Sequence, residues 1–106
     1  MISRVWRGWT SHENADVYEK LLNKEIIPGI AAKKIPGYRS IRVYRRVLND
    51  DEVEFMTIMR FDSLESVKDF VGEDYEVAHV PEKARQVLSR FDQRSQHFEE
   101  RSQYRY

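Results

Sequence analysis

Three histidines are the side chains of this sequence most suited to acid–base or ligand chemistry near neutral pH. His79 lies shortly before Pro81 in an irregular segment and is the candidate catalytic base; the alternative is a surface residue that caps the following helix. His97 falls on a predicted strand, where packing on the sheet face is favoured, and His12 falls in a polar turn. Because the three show no zinc-ligand spacing and the chain has no cysteine, we expect no metal site.

Aromatic side chains are the second candidate feature, because flat apolar walls suit an aromatic ligand. The candidates for the wall of a substrate pocket are Trp6, Trp9, Phe61, Phe70 and Tyr75. The alternative for each of them is ordinary core or interface packing. The pattern leaves open which face of the predicted sheet lines the pocket.

Arginines crowd one predicted strand and could hold a carboxylate or a phosphate. They are Arg39, Arg42, Arg45 and Arg46. We expect them instead to pair across a hairpin with the acidic residues that follow, namely Asp50, Asp51, Glu52 and Glu54. The sequence has no Gly-rich phosphate loop and no defensible Ser-His-Asp order.

Composition limits the class of protein to which this chain belongs. The length of 106 residues predicts one domain over residues 1–100, with a polar tail at 101–106. Eighteen basic and 18 acidic residues give a net charge of zero, which argues against a nucleic-acid partner. No apolar run is long enough to span a membrane, and no signal-peptide pattern is seen, so we expect a soluble, cytoplasmic protein without a membrane partner.

The elements that must position these residues begin with a strand and a helix. Residues 2–9 alternate as a strand, with Val5 and Trp9 on one face and Ile2 and Trp6 on the other. Residues 14–30 then show helical periodicity. Asn14 or Ser11 is the expected N-cap, and Pro28 predicts a kink or an end.

A hairpin and two further helices follow. Residues 38–48 and 52–61 alternate and flank a short turn, which predicts two antiparallel strands. A second helix starts at Asp62 or Ser63, where Asp62 and Glu65 fit a capping box, and it ends at Gly72. Pro81 opens a short third helix, and residues 92–100 form a weak last strand. The order predicts an α+β, ferredoxin-like split βαβ fold with a four-stranded antiparallel sheet.

The first and third strands are apolar on both faces. Helices can cover only one face of such a sheet, so either Trp6, Met56 and Ile58 or the residues opposite them would remain in water. We therefore expect a homodimer that pairs through the open sheet face. The alternative is an ordinary solvent face with scattered aromatic residues.

The chain resembles the dimeric α/β-barrel superfamily and, within it, the antibiotic-biosynthesis-monooxygenase-like proteins. The segments that carry the resemblance are Arg7-Gly8-Trp9, Ile35-Pro36-Gly37-Tyr38, residues 59–66 (MRFDSLES), residues 74–79 (DYEVAH), Phe91-Asp92 and His97-Phe98. The resemblance implies a homodimer with pockets between the sheet and the helices of each subunit. It also implies oxygenases that need no cofactor and act on phenols or quinols.

Haem-degrading members of the same family offer a narrower comparison. They use an Asn on the first strand, a Trp at the end of the third and a His after the second helix. Only the last has a counterpart here, since Ala78-His79 matches the Ala-His of that group. Phe61 stands where the Trp would be, and residues 2–9 contain no Asn.

Two functions therefore remain open. One is a cofactor-independent monooxygenase acting on a small phenol or quinol, with His79 as base. The other is a non-enzymatic dimer that binds a small apolar ligand or whose pocket is vestigial, with a haem-binding variant less favoured.

Overall fold

A computed structural model describes all 106 residues as one antiparallel sheet with helices packed on one face. The strands are β1 Ile2–Thr10, β2 Tyr38–Val47, β3 Val53–Phe61, β4 Arg90–Phe91 and β5 Gln96–Glu99. The helices are α1 His12–Leu21, α2 Ile27–Ala32, α3 Leu64–Val71 and α4 Glu82–Val87, and a π-helical turn, Leu22–Ile26, joins α1 to α2. Residues 101–106 are exposed and have no regular secondary structure. No helix is long and apolar enough to cross a membrane.

The sheet has the order β2-β3-β1, and both β4 and β5 pair with the remaining edge of β1. This order confirms the predicted ferredoxin-like α+β fold. The prediction of one continuous last strand was wrong, because residues 92–95 leave the sheet to pair with residues 76–78. The amide of Ala78 donates to the carbonyl of Gln93 at 3.0 Å, and the amide of Ser95 donates to the carbonyl of Glu76 at 2.6 Å.

The first helix shows how a proline is accommodated. Ser11 is the N-cap, since its hydroxyl accepts from the amide of Asn14 at 3.2 Å. The helix continues beyond Pro28 to Ala32, because the preceding turn is a π-helix in which the amide of Ile27 bonds to the carbonyl of Leu22. A proline ring clashes with the carbonyl four residues earlier in a regular helix, and the wider turn relieves that clash.

The start of α3 differs from the predicted capping box. Ser63 is the N-cap, and its hydroxyl accepts from the amide of Ser66 at 3.3 Å. Asp62 is held instead by two hydrogen bonds from Arg39. Gly72 ends the helix with a φ of 98°, a backbone conformation that favours glycine.

Among the four arginines of β2, only Arg46 has a partner that was predicted, Glu54. Arg45 reaches over to Asp16 and Glu19 on α1. These pairs join distant segments, which local charge patterns do not reveal.

All the helices pack on one face of the sheet, here named the inner face. From β1 and β3 it presents the even-numbered residues 2–10 and the odd-numbered residues 53–61, which are paired in register. Trp6 therefore lies on the inner face and Met56 and Ile58 on the opposite one, so the prediction that placed these three on one face was wrong. The core is built on this face from two neighbouring clusters, one around Phe55 and Tyr18 and the other around Phe61 and Phe70. The opposite side of the sheet is named the outer face.

Candidate functional site

A small cavity lies between the inner face of the sheet and the helices. Its volume is about 40 Å³, and its walls are mostly apolar. Space for a water molecule requires roughly 10–15 Å³ in such a measure, whereas an apolar cavity that takes up benzene is on the order of 150 Å³. The cavity therefore has room for small molecules of a few atoms, and an aromatic ring can enter only if its walls move.

His79 lies at the mouth of this cavity, in the irregular segment between α3 and α4. As a residue it remains exposed, and its ring lies 5.0 Å from the ring of Phe70, measured between centroids. Partial desolvation lowers the pKa of His79 below its usual value, and the charges of Lys33 and Arg4 lower it further. The imidazole is thus neutral near pH 7 and able to accept a proton.

An open groove of about 340 Å³ adjoins the cavity on the outside. His79, Ile26, Ile30 and Pro81 line both spaces, so these four side chains separate them. The helical side of this partition includes the end of the π-helical turn, a geometry that is frequent at functional sites. Movement of these side chains would merge the cavity and the groove.

Arg4 is the only charged side chain, apart from the titratable His79, that lines the cavity. It is 3 % exposed, and burial lowers the pKa of its guanidinium to about 10. One of its terminal nitrogens donates to the carbonyl of Tyr75 at 2.5 Å and lies 2.9 Å from Nε2 of His97, and the other donates to the carbonyl of Val77 at 2.8 Å. No acidic side chain lines the cavity.

His97, which lies on β5, is the third hydrogen-bond partner of Arg4. Because a guanidinium can only donate, Nε2 of His97 must accept, which places the imidazole proton on Nδ1. Nδ1 is buried without a hydrogen-bond partner. Burial and the charge of Arg4 lower the pKa of His97, against a smaller opposite effect of Glu76.

The predicted pocket residues divide into two groups. Trp6 and Phe70 line the cavity together with His79. Trp9 lies on the outer face between the guanidinium groups of Arg7 and Arg90, and it is 7 % exposed. The remaining two, Phe61 and Tyr75, do not line the cavity.

Phe61 and Tyr75 have packing contacts instead. Phe61 is fully buried between Tyr38 and Phe70. Tyr75 lies edge-on to His97, behind Arg4. Because side chains alternate between the two faces along β1, the sequence already places Trp6 and Trp9 on opposite faces. The positions of Phe61 and Tyr75 depend instead on how α3 and the segment after it pack.

The position of the Trp6 side chain depends on Gly8, two residues later on the same strand. Gly8 shares the inner face with Trp6, and a Cβ added at Gly8 would lie 2.6 Å from the indole ring. The indole nitrogen donates to the carbonyl of Asp92 at 2.9 Å. The absence of a side chain at residue 8 thus lets the indole lie flat beside the strand and form one wall of the cavity.

Sequence reasoning missed Arg4, although a signal for it was present. The alternation of β1 places Arg4 on the same face as Ile2 and Trp6, one of the two faces predicted to be apolar. A charged residue in such a position is rarely buried without a partner or a function. Only the burial of that face against the helices distinguishes Arg4 from the solvent-facing arginines.

The residues of this chain do not fit the haem site of the haem-degrading proteins described above. Phe61, which stands at the position of the Trp, is fully buried and cannot face a bound ring. No Asn is present on β1, and one of the two β1 residues that line the cavity is the cation Arg4.

Comparison with known proteins supports the fold. No protein-family model and no curated protein matches the chain. Among solved structures, the chain is similar to a Bacillus cereus protein named "putative antibiotic biosynthesis monooxygenase". The TM-score is 0.56 at 14 % identity, over 99 % of this chain and 97 % of the other. The likeness confirms an antibiotic-biosynthesis-monooxygenase-like fold.

Proposed function

We propose that this protein is a small monooxygenase that acts on a phenol or quinol without a cofactor, with His79 as the general base. The observation that supports this most is the placement of a neutral imidazole at the mouth of an apolar cavity that contains no acidic side chain. The structural likeness to a protein named as a monooxygenase is consistent with it.

The proposed reaction requires few functional groups from the protein. His79 accepts the phenol proton, and the phenolate passes one electron to dioxygen to give a phenoxyl–superoxide pair. The pair combines at a ring carbon, and the peroxide anion takes the proton back from His79. The hydroperoxide then loses water, together with the hydrogen of that carbon, to leave a carbonyl. Overall, a phenol and O2 give a quinone and water, so no external reductant is required. The protein contributes desolvation, orientation and the base.

Oxygen uptake tests this proposal directly. Wild-type protein, with metals chelated, should consume oxygen with a one- or two-ring phenol, and ¹⁸O2 should label the quinone carbonyl. His79→Ala should lower the rate by about 10²- to 10⁴-fold, the usual contribution of a general base. His12→Ala, the same change at an exposed histidine outside the cavity, should leave the rate unchanged.

Two results would contradict the assignment. Full activity in His79→Ala would remove that residue from the mechanism. Oxygen uptake that yields hydrogen peroxide, part of which returns as oxygen on addition of catalase, would indicate plain autoxidation of the substrate.

A ligand-binding protein without catalysis is the second candidate, and the small volume of the cavity favours it. His79 also has no hydrogen-bond partner to orient its ring. This candidate predicts that any phenol added is recovered unchanged under air. The same oxygen measurement therefore separates the two functions.

We also propose that the protein is a homodimer that pairs through the outer face. Val5 and Ile58 are cross-strand neighbours there, and with Met56 they form a partly exposed apolar strip. Tyr44 and Phe98 flank the strip and are 43 % and 55 % exposed. Covering such a surface gains about 25 cal/mol per Å² of apolar area removed from water.

Sedimentation equilibrium tests the dimer. Wild-type protein should sediment as a dimer at micromolar concentration, and Ile58→Asp should sediment as a folded monomer. Val47→Asp, at an exposed aliphatic residue outside the strip, should remain dimeric. A wild-type protein that is monomeric at all concentrations would rule out this assembly.

A further inference from the structure

Arg4 differs from most of the other arginines in that its charge is buried without a counterion. No carboxylate oxygen lies within 4.0 Å of its guanidinium nitrogens, and burial lowers the pKa of the group. An unpaired buried charge is costly, because it loses its hydration and gains no counterion in return. Such a cost is typical of residues kept for function rather than for stability.

The hydrogen bonds of Arg4 leave part of its guanidinium unused. The group has five N–H bonds, and three of them meet protein acceptors: the carbonyls of Tyr75 and Val77, and Nε2 of His97. All three acceptors are uncharged. The other two N–H bonds have no protein acceptor, and the side chain that carries them lines the cavity.

The segment that holds Arg4 also carries His79. The two carbonyls that accept from Arg4 belong to residues 75 and 77, and His79 follows two residues later. The position of the cation relative to the imidazole is thus set by one short stretch of backbone. That stretch is itself fixed by pairing with residues 93–95.

We propose that Arg4 is the binding residue for an oxyanion, so that the ligand of this cavity is a phenolate, an enolate or a carboxylate rather than a neutral molecule. The inference deepens the proposed function: His79 takes the proton and Arg4 holds the anion that results. Inside a cavity with little water, a fixed charge stabilises an anion far more than it does in solution.

Two pairs of probe molecules measure how much more tightly the cavity binds an oxyanion than a neutral molecule. Formate and formamide have only a few atoms each and fit the cavity as it stands, while 4-nitrophenolate and 4-nitroanisole require its walls to open. Each pair compares an oxyanion with a neutral molecule of similar shape. The nitrophenol is too electron-poor to be oxidised by oxygen, and its phenolate form is seen directly by visible absorbance.

Wild-type protein should bind at least one anion about ten- to hundredfold more tightly than its neutral counterpart, as expected for hydrogen bonds to a charged group. In NMR spectra of ¹⁵N-labelled protein, formate should shift the side-chain Nε–H signal of Arg4, which is assigned from its absence in Arg4→Lys. If 4-nitrophenol enters, its absorbance should show phenolate bound at a pH where the free probe is mostly protonated. A preference for formate alone indicates a carboxylate ligand, and one for 4-nitrophenolate indicates a phenolate or enolate.

Substitutions test whether Arg4 is the residue responsible for the tighter binding of anions. Arg4→Met should abolish it, and Arg4→Lys should retain part of it, since the charge remains while the planar donor fork is lost. Arg7→Met, three residues along the same strand but on the outer face, should leave it intact. The proposal is overturned if neither anion binds wild-type protein, if each anion binds no better than its neutral counterpart, or if the preference persists in Arg4→Met. The wild-type comparison decides the matter even if Arg4→Met does not fold.

These measurements are independent of turnover. Protein that selects anions through Arg4 but consumes no oxygen with any phenol would retain this inference and lose the monooxygenase assignment. Protein that oxidises phenols but shows no anion preference would do the reverse.

Discussion

Arg4 and Arg7 lie three residues apart on β1, and the sheet gives them opposite environments. Arg4 is 3 % exposed on the inner face, has no carboxylate partner and lines a cavity. The side chain of Arg7 is 44 % exposed on the outer face, where it lies 3.8 Å from Glu54 and 3.5 Å from Asp92. The comparison shows that the number of charges in a strand says little about their roles. The charge that indicates a functional role is the one that folding buries without a carboxylate partner.

Substitution of hydrophobic residues on the two faces should give the largest difference. Phe61→Ala on the inner face empties a fully buried site between two aromatic rings, so we expect a loss of about 3–5 kcal/mol in the free energy of unfolding. Ile58→Ala on the outer face should cost about 1 kcal/mol or less in dilute solution. Urea denaturation measures both. Equal costs would mean that the outer face is as well packed as the core.

Protein concentration sharpens this comparison. If the outer face pairs in a dimer, the cost of Ile58→Ala should grow as the concentration rises, because dimerisation adds to the stability of the folded state by mass action. The cost of Phe61→Ala should persist at every concentration. A concentration-independent Ile58→Ala value would count against the dimer.

Stability should also depend on pH through the partner of Arg4. The pKa of His97 is lowered from 6.5 in the folded protein, so the unfolded chain binds the proton first as the pH falls. The contribution of His97 is therefore fully present above pH 6.5 and is lost below it, by at most about 1.4 kcal/mol per pH unit, until the lower folded pKa is reached. Protonation would also break its hydrogen bond from Arg4, since Nε2 could no longer accept.

A substitution at His97 isolates this effect. His97→Gln keeps an acceptor for Arg4 but cannot titrate, so its unfolding free energy should fall less steeply than that of wild-type protein below pH 6.5. Urea denaturation across this range gives the slopes. His12→Gln controls for the loss of one exposed histidine. Parallel slopes for wild type and His97→Gln would contradict the prediction.

The smallest effect is expected for the outer arginine. Arg7→Ala removes two ion pairs longer than 3.4 Å and a contact with the Trp9 ring, all at a half-exposed side chain. Exposed pairs are worth about 0–1 kcal/mol, and salt screens them. Thermal unfolding at low and high salt should therefore show a small destabilisation that shrinks as salt is added. A loss of several kcal/mol would mean that Arg7 is structurally equivalent to a core residue.

The hairpin illustrates what could be read from the sequence. Residues 38–48 and 52–61 alternate in hydrophobicity, and the Asn49 side chain accepts from the amides of Asp51 and Glu52, so strand pattern and turn are both local. The first helix was also recognised from its periodicity. The π-helical turn before Pro28 was not, because it is one of several ways in which a helix accommodates a proline.

The candidate site could be predicted only in part. His79, Trp6 and Phe70 were named from residue type and fold, and they do meet at one cavity. Phe61 and Tyr75 were named on the same grounds and lie elsewhere, since aromatic rings that line a cavity and those that fill a core have the same composition and spacing. Arg4 was missed because its importance follows from burial without a counterion, which is a property of the folded state.

The sequence by itself determined the order of strands and helices, the face on which each strand residue lies and the absence of cysteine chemistry. These follow from periodicities of two and 3.6 residues and from the residue types, which neighbours along the chain are enough to define. The tertiary structure alone decided that the last strand is split, that Arg4 is buried beside His97, and that the cavity is smaller than an aromatic ring. Each of these depends on contacts between segments far apart in the chain, whose energies no local pattern encodes.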